Sequence, residues 1–79
     1  MSRQPAWQEN ARRGYAALLA HYDGSVEAMA DDIGLTRQAV YLWKGIVPRR
    51  WVLELERKTK GQIRCWQIRP DLYKQEAAE

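Results

Sequence analysis

The sequence has almost none of the residues on which disulfide frameworks and the commonest catalytic sites are built. It contains one cysteine, Cys65, and one histidine, His21. A single cysteine excludes an intrachain disulfide and fits a reducing compartment. A Cys–His nucleophile pair would have to use both residues, with no orienting third group in view. A metal would have to rely on carboxylates such as Asp31 and Asp32, yet adjacent carboxylates on a helix point in different directions. The expectation is a non-enzyme without metal or cofactor. No apolar run approaches the length of a membrane span, and the opening MSRQPAWQEN lacks the apolar stretch of a secretory signal. A cytoplasmic protein with no membrane partner and no small-molecule ligand is therefore expected.

Phenylalanine is also absent, but four tryptophans and four tyrosines replace it. They give a small core much area per side chain. With 79 residues, 46% of them hydrophobic and 29% charged, the chain reads as one globular domain over 1–79. The net charge of +3 says little by itself. Its distribution says more. Residues 1–36 hold three basic and five acidic side chains, whereas residues 37–64 hold eight basic and two acidic. A block this basic is an electrostatic footprint for an anionic partner.

Periodicity divides the chain into helices. From Pro5 to Tyr22, Trp7, Ala11, Tyr15, Leu18, Leu19 and Tyr22 share one stripe, and Asp23-Gly24 ends the run. This N-terminal helix, within residues 1–23, would be about 27 Å long. Its Trp7 end is expected to pack on the C-terminal tail or on a second subunit. Gly14 in its middle costs roughly 1 kcal/mol against alanine, which points to a close backbone approach there. Ser25 caps a second helix, Val26 to Ile33, and Gly34 stops it in the left-handed conformation. Thr36 caps a third, Arg37 to Lys44. Pro48 opens a fourth, running to Thr59, with Trp51, Val52, Leu55 and Thr59 inward and Leu53 outward as a possible partner contact. The run QIRCWQIRP after Gly61 predicts a single helical turn, with a short strand as the alternative. The polar tail, 74–79, is expected to fray.

Residues 25–45 meet the demands of a helix-turn-helix. Ala30 is the small residue at the crossing, Gly34 the turn four residues on, Leu35 the apolar plug, and Val40 the apolar residue six after the glycine. If Ala39, Val40 and Trp43 point inward, then Arg37, Gln38 and Tyr41 project outward with Leu42 and Lys44 at the flanks. Arginine can pair bidentately with guanine, glutamine with adenine, and leucine can touch a thymine methyl. The candidate base-reading residues are therefore Arg37, Gln38, Tyr41 and Leu42, although Tyr41 fits a ring packed on the surface equally well. Thr36 at the helix start, and Lys44, Arg49 and Arg50 beyond its end, are candidate contacts to the DNA backbone.

At these residues the chain resembles the small phage-encoded Cro and repressor proteins, in particular the YdaS-like Cro group. The resemblance runs from Gly24 to Tyr73 and rests on IGLTRQAVYLWKG, a proline-led fourth helix ending near a glycine, and RPDLY. It implies an all-α helix-turn-helix bundle of four to five helices, with C-terminal helices over 48–73 and an extended N-terminal helix. It also implies a sequence-specific DNA-binding regulator, acting as a homodimer on a palindromic double-stranded operator. Positions matching Thr36, Arg37, Gln38 and Tyr41 would read the major groove, and those near Ser25 and Lys44 would hold phosphates. Many such proteins brace the recognition helix with a glutamine where this chain has Val26. YdaS-like proteins are also described as toxin or antitoxin components, so a protein-interaction module on the same scaffold is the alternative.

Overall fold

The computed structural model describes residues 6–74 and contains five helices: α1 (Ala6–His21), α2 (Val26–Asp32), α3 (Arg37–Tyr41), α4 (Arg49–Lys58) and α5 (Cys65–Ile68). The fold is an all-helical bundle of helix-turn-helix type. The expected helix start at Pro5 and most of the expected fraying tail lie outside the described residues.

Helix α1 buries Ala11, Gly14 and Leu18, a three-then-four spacing that gives one narrow stripe. Gly14 is the point of closest approach to α5. A Cβ placed there would collide with the Gln67 carbonyl and lie 2.7 Å from the Ile68 Cα, so only glycine lets the helices meet. Expected close approach and observed partner thus coincide at Gly14. The Trp7 end of α1 packs on the C-terminal segment, where the Arg69 guanidinium lies 5.2 Å from the ring centroid.

The second and third helices begin where their caps predict. Ser25 Oγ accepts from the Ala28 N–H at 3.0 Å, and Thr36 Oγ1 accepts from the Ala39 N–H at 3.2 Å. Each satisfies one of the amides left unpaired in a helical first turn. Between them Gly34 takes φ +77°, and the Leu35 amide donates back to the Ala30 carbonyl at 2.8 Å. Leu35 then packs half-buried against the core formed by Leu18, Met29, Val40, Val47, Leu55 and Ile68.

Several boundaries move: α1 ends at His21, and α4 spans Arg49–Lys58 with Pro48 and Thr59 as its caps. Helix α2 ends at Asp32, with Ile33 as its cap residue. More consequentially, α3 stops at Tyr41 and does not run to Lys44. The Trp43 and Lys44 amides bond three residues back, to Val40 and Tyr41, so the last turn tightens into 3₁₀ geometry. Lys44 itself takes φ +54° and Gly45 φ +82°, a left-handed pair that helical hydrogen bonding cannot pass through. The same pairing of a residue with glycine closes α1 at Asp23-Gly24 and α4 at Lys60-Gly61.

After α4, the stretch left open between turn and strand is the helical turn α5. Thr59, 1% exposed, holds the connection: its hydroxyl donates to the Glu56 carbonyl at 3.0 Å and accepts from the Ile63 N–H at 3.1 Å. Glu56 accepts from Arg64 Nε at 2.9 Å and from the Cys65 amide at 3.2 Å, anchoring the start of α5. Packing of α5 on α1 and on α4 closes the bundle.

Candidate nucleic-acid interface

A short helix presents side chains in fixed directions only if it is held. Val40 does this for α3: it is fully buried, with Ala39 and Trp43 half-buried beside it. The opposite side is then exposed, and it carries Arg37 and Gln38, with Tyr41 60% and Leu42 77% accessible. All four candidate base-reading residues therefore share one surface. Among the described residues, neither Arg37 nor Gln38 spends its side chain on a hydrogen bond or an ion pair.

The cations follow in sequence around the turn. Lys44 is exposed and fixed by its left-handed backbone, and Arg49 and Arg50 form the exposed first turn of α4. Arg50 rests 5.3 Å from the Trp51 ring centroid, a cation–π contact that steadies its guanidinium without neutralising it. Ser25 and Thr36 stand apart from these. Their hydroxyl oxygens are occupied as helix caps, which leaves each with an O–H donor toward solvent or an anion.

Helix α1 supplies what the helix-turn-helix pattern alone does not contain. The aliphatic stem of Arg12 lies over Gly45, where a Cβ would sit 3.4 Å from Arg12 Cγ. On the turn of α1 that follows, burial and the neighbouring Tyr41 push the Tyr15 phenol up. Tyr41 is thus accessible while its hydroxyl acts electrostatically on Tyr15 of α1. At Gly45 the N-terminal helix backs the turn that carries Lys44.

Sequence reasoning missed the group that orients the segment between the turn and α4. Arg69 donates from Nη1 to the Val47 carbonyl at 2.8 Å, and from Nε and Nη2 to the two Asp71 oxygens at 2.9 and 2.7 Å. Trp7 covers the same guanidinium. The only available signal was the run RPDLY, whose arginine and aspartate are two residues apart. Among the described residues, no group of three His, Cys, Asp or Glu is placed to hold a metal, and no helix is long and apolar enough to cross a membrane.

No curated protein and no solved structure matches the chain. A family match does cover most of it. Residues 18–77, from the last turn of α1 through α5, match the family described as Bacterial toxin YdaS, and the chain belongs to that family.

Proposed function

We propose that this chain is a sequence-specific double-stranded DNA-binding regulator of the Cro repressor kind, reading an operator through the major groove with residues 36–44. The observation that carries the reading is the exposed, uncommitted pair Arg37 and Gln38 on a helix pinned by Val40 and capped by Thr36. Arginine and glutamine offer the bidentate donor sets that distinguish guanine and adenine. Lys44, Arg49 and Arg50 supply the phosphate contacts that set register without reading sequence. One recognition helix reaches few bases, so two copies on a palindrome, with half-sites about 34 Å apart, give the required specificity.

Selection from a random duplex library, followed by affinity for the winning site across a salt series, tests this. The expected result is an enriched two-fold site with a steep salt slope. Weak, salt-sensitive binding without enrichment would refute sequence-specific reading. The family description favours a second reading, a toxin–antitoxin or phage module that acts by binding protein. On that reading the strongly exposed Leu42 belongs to a protein contact, and Arg37→Ala leaves DNA affinity unchanged.

A further inference from the structure

The basic block does not end with the residues assigned to DNA. Beyond Arg50, the exposed side of α4 carries Leu53 and Arg57, one turn apart, and the left-handed turn after it carries Lys60. With Glu56, Gly61 and Arg64 they line a concave space of about 460 Å³. Its charge is one-sided. Glu56 is engaged by Arg64 and the Cys65 amide. Arg57 meets Glu54 only at 3.9 Å, with its side chain 80% exposed, and Lys60 has no ion-pair partner among the described residues. Leu53 stands half-exposed among these cations.

The complement lies on the same molecule. Helix α2 exposes Glu27, Ala28 and Asp31: two carboxylates one turn apart with a methyl group beside them. Neither carboxylate has an ion-pair partner among the described residues, whereas Asp32 next to them accepts from the Tyr22 hydroxyl at 2.6 Å. We propose that the groove of Leu53, Arg57, Lys60 and Arg64 docks the acidic face of α2 from a second copy of this chain. One helical turn separates the carboxylates, and Arg57 and Lys60 line the same groove, so the two pairs of opposite charge face each other together. Leu53 then covers Ala28. A phosphate backbone fits the groove less well, because it would leave Leu53 without an apolar partner.

The two patches differ, so the contact is heterologous, and each copy can hold a neighbour on either side. Exposed ion pairs are individually weak and screened by salt. The association is therefore weak, with a dissociation constant on the order of a millimolar at physiological salt, and it strengthens as salt falls. This inference does not depend on the DNA reading.

Sedimentation of the full chain tests it at about 10 mM salt, where charges act over roughly 30 Å, and at about 1 M, where they act over roughly 3 Å. The average mass should rise with protein concentration at low salt and fall back at high salt. Two variants separate the faces: Glu27→Gln with Asp31→Asn, and Arg57→Gln with Lys60→Asn. Each alone should sediment lighter than the wild type at low salt. An equimolar mixture should form one-to-one pairs through its single intact combination of faces. A wild type that does not associate, a variant that keeps the wild-type mass, or a mixture that stays as light as its components would overturn the proposal. Loss of DNA affinity in the Arg57/Lys60 variant with unchanged sedimentation would overturn it too, and assign the groove to nucleic acid.

Discussion

Gly14 and Ile68 meet backbone to backbone: a side-chain carbon on Gly14 would lie 2.7 Å from the Ile68 Cα. At an open helix position, alanine in place of glycine would stabilise by about 1 kcal/mol. Here the neighbour is main chain and cannot rotate away. Gly14→Ala should instead lower stability by about 1–3 kcal/mol, the usual range for overpacking. Urea denaturation of the two proteins reads the sign directly, and a gain in stability would contradict the contact.

Lys44 sits at φ +54°, a conformation that costs a non-glycine residue about 1 kcal/mol or more. On the proposed DNA-binding reading, its side chain contacts phosphate. Lys44→Gly should therefore raise the melting temperature while weakening DNA binding, and flatten the salt dependence by about one unit of slope. Lys44→Ala removes the charge without relieving the backbone. If both variants lose stability, the strain argument is wrong; if neither loses affinity, the contact is.

Arg37→Ala and Gln38→Ala should each relax preference at one base position, by about 1–3 kcal/mol of discrimination. Arg49→Ala should weaken binding to all sequences alike. Competition assays with single-base variants of the selected site distinguish the two patterns. A uniform loss from the Arg37 change would move that residue from base reading to backbone contact.

Stability should hold through neutral pH and fall at both extremes. The two hydrogen bonds from Arg69 hold the Asp71 carboxyl below the ordinary carboxylate range. Its contribution is present above about pH 4 and is lost as pH falls through the lowered folded value. Burial and the hydrogen bond to Asp32 push the Tyr22 phenol up. That contribution is complete below about pH 10 and is lost as pH rises through the raised folded value. Asp71→Asn should remove part of the acid-side slope in a series of urea midpoints, and Tyr22→Phe part of the alkaline slope. Midpoints whose slopes are unchanged in both variants would show that these pairs carry no linkage.

What was legible in the sequence was local. Ser25, Gly34 and Thr36 set helix ends through bonds that span three to five residues, and their residue types announce them. The surface of α3 followed once Val40 was placed inward. The shortening of α3 was not legible, because the apolar spacing of Ala39, Val40 and Trp43 serves a tightened 3₁₀ turn as well as an α-helical one. Nor was the role of Arg69. Its partners are Trp7 at one end of the chain, Val47 in a connecting segment and Asp71 close by, and only the folded chain assembles them. The cost of Gly14 was visible, but not the α5 backbone that required it.

The seat that Ile68 and Gln67 take against Gly14 has a consequence for synthesis. Helices α2 and α3 are neighbours in sequence and can pair as soon as both leave the ribosome, but the α1–α5 contact has to wait. The backbone contact at Gly14 forms only when α5, last of the five helices, emerges. Contacts of such long sequence separation form late and set the pace of folding. A nascent chain would thus hold a formed turn between α2 and α3 while the Gly14 face of its first helix remained uncovered. Until Ile68 arrives, that face is surface for chaperones and proteases to find.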